Sequence, residues 1–168
     1  AGVDVDQLGN VYVADSGNAV IRKYSNTGTL LATFGPAIPP NGFGLQTPTG
    51  IAVDHPENAA DEPYIYVADS ASGHVQALSP SGEFVIDYGP FREPVGVDVD
   101  AAGHVYVADA GGQNELVAKF TPGALLLNVY GKSGGGSGSA PGQFDDPRDV
   151  SIDTDGDMLV ADAGNNRL

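Results

Sequence analysis

Residues 2–16 read GVDVDQLGNVYVADS: one word from Gly2 to Asp6, a short connection, and a second word from Val11 to Ser16. Apolar and polar side chains alternate through the first word, the period of a strand, and the second opens on a short β-branched and aromatic run of strand length. Gly9, in the connection, supplies the positive φ that a tight hairpin requires. Both words return. GIAVD from Gly50, GVDVD from Gly96 and DVSID from Asp149 restate the first. IYVADS from Ile65, VYVADA from Val105 and MLVADA from Met158 restate the second. Successive first words lie 48, 46 and 53 positions apart, a spacing that marks a repeated supersecondary unit.

Each unit reads as four short strands separated by turn residues. In the first they are Val3–Asp6, Val11–Asp15, Val20–Tyr24 and Leu30–Phe34. The connection Ser25–Gly28 recurs as Ser79–Gly82; in the third unit it shortens to Thr121–Gly123, which predicts a different turn type. The fourth strand closes on an aromatic and a glycine: Phe34-Gly35, Tyr88-Gly89, Tyr130-Gly131. No segment holds a helical period, so the chain is all-β. Four-stranded meanders repeated at this interval predict a β-propeller of four-stranded blades. A β-sandwich is the alternative, but it has no reason to restate the same two words four times. The blades fall at about 2–35, 50–89 and 96–131, with half a blade at 149–168, three and a half in all.

The 168 residues carry 7 Lys plus Arg against 22 Asp plus Glu, a formal net charge of -15. That excess repels phosphate backbones and anionic lipid headgroups, which argues against nucleic acid as a partner. The apolar runs are strand-sized, far short of a spanning helix, so no membrane insertion is expected. With no Cys, disulfides, thiolate zinc sites and thiol catalysis are ruled out.

The words PTGIAVD from Pro48, GNVYVAD from Gly9 and SGNAVIRKY from Ser16, with the aromatic-glycine close, resemble the NHL repeat family over nearly the whole chain. The copy from Gly2 to Gly35 follows the pattern best. The resemblance implies a propeller of about six blades, so this chain is expected to be part of a longer protein. An open arc exposes an apolar sheet face at each end, to be covered either by missing blades or by self-association of copies. The resemblance further implies two functional classes. One is a non-enzymatic scaffold that recognises a protein, peptide or glycan. The other is a metal-dependent lyase or hydrolase with its site in the central channel on His, Tyr and Arg; none of those positions is matched here. RNA binding, known for some animal members, conflicts with the charge.

Among candidate residues, Asp15, Asp69, Asp109 and Asp162 end every second strand and are expected to accept backbone NH groups of the turn that follows. Asp4 and Asp98 fall on the channel-lining strand, where Ala52 and Ser151 are their counterparts, and are expected to be solvated there. Asp153, Asp155 and Asp157 imitate the start of a calcium loop, but Met158 and Gly164 stand where an EF-hand needs Gly and Glu. Calcium is thus the one cofactor this stretch suggests, without the ligand pattern of an EF-hand, and no other cofactor is indicated. Gly131–Gly135 formally matches a nucleophile elbow, but the glycine-rich stretch after it cannot be a helix. His55 and His104 belong to one rim and His74 to the other, so they do not converge on one metal. The long connections 36–47 and 132–146 enlarge the rim that carries the fourth-to-first-strand loops, where binding residues concentrate. The binding candidates are therefore Phe43, Arg92, Phe144 and Arg148, with the reservation that Phe43 and Phe144 could instead pin their loops to the blade edge. The acidity, the absence of Cys and the Gly/Ser-rich insertion are compatible with an extracellular protein.

Overall fold

In the computed structural model, residues 2–35, 44–55, 63–112, 114–132, 134 and 136–168 are described. The repeated apolar words become antiparallel strands. Blade 1 comprises β1 (Val3–Val5), β2 (Val11–Asp15), β3 (Val20–Tyr24) and β4 (Leu30–Phe34). Blade 2 comprises β5 (Pro48–Val53), β6 (Ile65–Asp69), β7 (His74–Leu78) and β8 (Phe84–Tyr88). Blade 3 comprises β9 (Pro94–Val99), β10 (Val105–Asp109), β11 (Leu116–Phe120) and β12 (Leu126–Gly131). Blade 4 contributes β13 (Pro147–Ile152) and β14 (Met158–Asp162), followed by a 3-10 turn at Ala163–Asn165. Each sheet is a plain meander in sequence order. The innermost strands lie side by side, with β5 between β1 and β9 and β9 between β5 and β13. This is the β-propeller arrangement predicted from the repeated words.

Each core lies between blades, because a twisted sheet with two apolar faces must cover both. Tyr12, Ala14, Ile21 and Phe34 of blade 1 pack on Ile51, Val53, Ile65 and Val67 of blade 2. Tyr66, Ala68, Val75 and Tyr88 pack on Val97, Val105, Val107 and Phe120 of blade 3. Tyr106, Ala108 and Val117 then meet Val150 and Val160 of blade 4. β6 and β10 are buried at every residue, whereas β2 buries only alternate ones because blade 1 has a single neighbour. A fully buried Val or Ile is worth about 1.5–3 kcal/mol, so these interfaces dominate stability.

Close approach of the inner strands depends on glycine. A Cβ on Gly50 would stand 2.6 Å from the Val95 carbonyl oxygen, and one on Gly96 would stand 2.7 Å from the Asp149 Cα. In the first-to-second-strand hairpins, Gly9, Gly103 and Gly156 adopt positive φ, as expected. The third-to-fourth-strand hairpin of blade 3 departs from expectation. It is not a different turn: Ala124 takes the place of Gly28 and Gly82, with φ +60° and its N–H bonded to Thr121 O at 3.0 Å. The missing glycine shortened the apparent connection, while the backbone kept the same geometry.

Candidate functional site

The aspartates that end the second strands each accept two or more hydrogen bonds. Asp69 Oδ2 accepts Gln46 N–H at 2.7 Å and Oδ1 accepts Thr47 N–H at 2.7 Å. Asp109 accepts Arg92 N–H at 3.1 Å, Glu93 N–H at 2.7 Å, Gly111 N–H at 3.3 Å and Asn114 Nδ2 at 3.1 Å. Asp162 accepts Asp145 N–H at 2.7 Å, Asn165 Nδ2 at 2.9 Å and Arg167 Nε at 2.8 Å. Asp69 is thus bonded by amides of the segment leading into the innermost strand, whereas Asp109 and Asp162 divide their bonds between that segment and the residues that follow them, Gly111 and Asn114 for Asp109, Asn165 and Arg167 for Asp162. Asp15 follows the expected pattern instead, accepting Asn18 N–H, Asn18 Nδ2 and Arg22 Nε. Burial works against ionisation of Asp162, but the bonds from Asp145, Asn165 and Arg167 outweigh it and hold its carboxyl below the ordinary value.

The acids on the channel-lining strands bridge blades rather than standing free in water. Asp4 Oδ2 accepts Val53 N–H at 2.7 Å, and Asp98 Oδ2 accepts Ile152 N–H at 2.6 Å. An innermost strand has one edge with no sheet neighbour, and its amides need acceptors. Burial pushes the Asp98 carboxyl up, against the bonds from Ile152 and Val99, and the charge of Asp4 adds to the rise. Asp149 is raised by burial and by Asp98. On the opposite side of the blades, Asp6 and Asp100 close the first-to-second-strand turns. Asp100 Oδ1 accepts Ala102 and His104 N–H, and Oδ2 meets His104 Nδ1 at 2.9 Å, Tyr106 OH at 3.2 Å and Lys119 Nζ at 3.5 Å. Asp153 Oδ1 accepts Asp155 and Asp157 N–H, both at 2.9 Å, in the same turn geometry.

The binding candidates separate in space and in chemistry. Phe43 lies outside the described residues. Phe144 stands three residues before Pro147, the place held by Leu45 and Phe91 in the preceding copies, and all three pack into interblade cores. Arg148 Nε pairs with Asp146 Oδ1 at 2.7 Å with both side chains solvent-accessible. Arg92 is exposed on the same rim, where its backbone amide is held by Asp109.

The connection 132–146 is gripped from blade 4. Arg167 Nη1 donates to Ser139 O at 2.9 Å, Nη2 donates to Ala140 O and Gln143 O, and Asn165 Nδ2 donates to Gly138 O at 2.9 Å. Asp146 N–H is held by Glu115 Oε2 at 2.7 Å, a carboxyl that burial raises. Ser139, Ala140, Pro141 and Gly142 remain exposed. Asn165 and Arg167 are not among the candidates that the sequence singles out, because their partners lie 24 to 28 residues back in the chain.

A model of the family described as "NHL repeat" matches residues 91–118 and 144–168. The chain carries NHL repeats. Each match begins on the anchored aromatic, Phe91 or Phe144, and both fall on the third and fourth copies rather than on the first. NHL repeat-containing protein 3 of Mus musculus is 29% identical over 99% of this chain, which covers 50% of that protein. This NHL segment therefore spans about half the length of the curated relatives it matches. Among solved structures, Kuenenia stuttgartiensis hydrazine synthase superposes with a TM-score of 0.70 at 16% identity, covering 95% of this chain and 40% of that one. Virginiamycin B lyase from Staphylococcus aureus gives 0.66 at 12% identity, covering 96% and 48%. Both likenesses concern the fold.

Proposed function

We infer that this NHL propeller segment is a non-enzymatic recognition scaffold that binds a protein, peptide or glycan on the face carrying the fourth-to-first-strand loops. The observation that carries this reading is the grip of Arg167 and Asn165 on residues 138–143, which fixes a long Gly/Ser-rich loop and leaves its crest open to solvent. A loop held in one shape loses less conformational freedom on binding. Arg92 and Arg148, cations in a chain of net charge -15, flank the same rim and favour acidic or polyhydroxyl groups.

The fold likeness to a lyase keeps a metal-dependent lyase or hydrolase as the second reading. The described residues do not fit a metal there: His74 Nδ1 bonds Asp87, His104 Nδ1 bonds Asp100, and His55 stands exposed on another turn. An open cleft of about 450 Å³, lined by His55, Asp100, Asp153 and Asp155 among others, lies on the opposite face from the loops. Binding to arrayed peptides and glycans separates the readings. Recognition that is lost in Arg92→Ala/Arg148→Ala and unaffected by chelator supports the scaffold. Metal retained through dialysis, with binding or turnover abolished by chelator, overturns it.

A further inference from the structure

On the perimeter of the arc, the outer strand of blade 3 differs from those of blades 1 and 2. β12 pairs only with β11 and forms the free edge of its sheet. Leu125, Leu126, Leu127 and Val129 are exposed by 48–67%, and Asn128 between them is exposed as well. β8 carries Asp87 and is entered from Glu83, and β4 carries Thr33 among its apolar residues. Edge strands of soluble proteins are normally guarded by charge or Pro, and residues 125–131 hold neither. Leu126 and Val129 stand opposite Phe120 and Ala118, which pack in the core between blades 2 and 3. Opposite residues of antiparallel strands share a face, so Leu126 and Val129 lie on the side of blade 2, whose four strands are all present. Their exposure belongs to the perimeter, far from the innermost strands that gather side by side, and blades adjoining blade 1 or blade 4 do not reach it.

The backbone of this edge is open too. Val129 N–H bonds the side chain of its own neighbour, Asn128 Oδ1, at 2.9 Å. The same short-range bond joins Val5 to Asp4, Val99 to Asp98 and Val150 to Asp149 on the innermost strands, which also have one edge without a sheet neighbour. It marks an amide directed away from the ladder, where a backbone donor still needs an acceptor. We propose that the free edge of β12 takes up an extended segment of a partner protein as a further strand of blade 3, with apolar side chains against Leu126 and Val129 and Lys or Arg on the opposite face. Strand addition of this kind draws affinity from main-chain hydrogen bonds and specificity from alternate side chains.

Charge selects this occupant. Arg22, Lys23, Lys119, Arg148 and Arg167 are each paired with an aspartate, and the chain still carries a net charge of -15. A second copy, or any acidic segment, meets that field as a repulsion, whereas a basic segment is drawn in by it. At the edge itself the strip is uncharged, so apolar side chains cover Leu126 and Val129 without stripping water from an ion. This surface is separate from the loop-bearing face and adds a second contact to it.

The test uses the full chain and a blocked, fluorescent peptide of alternating valine and lysine, roughly six residues long, the length of a common strand. Its counterpart with glutamate in place of lysine is the control. Fluorescence anisotropy should show saturable binding of the lysine peptide, weaker at high salt, and at least about tenfold weaker binding of the glutamate peptide. Val129→Lys should weaken the lysine peptide at least about tenfold, while Thr33→Lys, the same change of charge on β4, leaves it within about twofold. Asn128→Ala frees the Val129 amide and should tighten binding about threefold. All three positions are exposed, and circular dichroism reports that each variant keeps the fold. Amide hydrogen exchange should slow at residues 127–129 when peptide is bound. Absence of saturable binding overturns the proposal, as does equal binding of the glutamate peptide, equal loss in Thr33→Lys, or protection confined to other strands. Sedimentation velocity showing that the chain pairs with itself, and that Val129→Lys abolishes the pairing, would make a second copy the occupant and overturn it equally.

Discussion

The Asp98 carboxylate accepts the Ile152 amide across the boundary between blades 3 and 4, at 2.6 Å. Asp4 makes the same bond to Val53 between blades 1 and 2. At the boundary between blades 2 and 3 the equivalent residue is Ala52, and Thr49 Oγ1 donates to Pro94 O at 3.2 Å there. Acid and hydroxyl thus serve one purpose, joining inner strands that no sheet hydrogen bond connects.

Replacing Asp98 separates charge from bonding. Asp98→Asn keeps an acceptor for Ile152 and removes an ion whose carboxyl burial raises above its ordinary value. A raised acid stabilises the fold fully below its unfolded pKa, and that contribution fades as pH rises through the folded value. Asp98→Asn should therefore match or exceed the parent near neutral pH and lose that advantage in acid. Asp98→Ala should cost about 1–2 kcal/mol at neutral pH. Urea unfolding at both pH values measures this; an Asn variant weaker than the Ala variant would contradict it.

Asp109 is fully buried and meets four donors. Asp109→Ala leaves the Arg92 and Glu93 amides without their acceptor and should cost roughly 3 kcal/mol or more. Asp109→Asn should recover only part, because an amide nitrogen then faces donors. Equal stability of the Asn variant and the parent would show that the loop is held elsewhere.

Acid should act in the opposite sense at the bonded turn and strand-end acids. Burial disfavours the charges of Asp6, Asp100 and Asp162, yet their hydrogen bonds prevail and lower all three. Their stabilisation is present above the unfolded carboxylate range and is lost as pH falls through the depressed values. Melting temperature should thus drop steeply below about pH 4. Asp162→Asn should flatten that drop, and an unchanged acid limb would remove Asp162 from the account.

Ala124 holds φ +60°, where its neighbours in the repeat are glycines. Ala124→Gly should stabilise by about 0.5–1 kcal/mol by removing left-handed strain, less the extra freedom of the unfolded glycine. Destabilisation in a urea titration would mean that the Ala124 methyl, which packs against the core beside Phe120, contributes more than the strain costs.

Gln76 is 2% exposed between blades 2 and 1, and its Nε2 has no hydrogen-bond partner among the described residues. Gln76→Met should stabilise by about 1 kcal/mol, since an unsatisfied buried amide is exchanged for an apolar chain of similar volume. A loss of similar size would reveal a bound partner for that nitrogen.

The strands were legible in the sequence because alternation and turn glycines are local properties, and the repetition of two words gave the blade count. Ala124 hid one turn because the backbone there follows the repeat while the residue does not. The roles of the acids were partly legible. For Asp15 the partners lie three to seven residues ahead, within a local turn. Asp69 and Asp109 bond partners 16 to 23 residues behind, on a segment that only the closed blade brings near. Phe144 reads as a loop aromatic until its register with Leu45 and Phe91 is fixed by the strands that follow.

Sequence alone determined the all-β character, the repeated four-stranded blade, the acidity and the NHL pattern, since each is written within a few consecutive residues. Tertiary structure alone decided which face of each sheet is covered, that Asp4 and Asp98 join neighbouring blades, and that Arg167 grips the insertion. Those contacts join residues far apart in the chain, and their geometry exists only once the blades have packed.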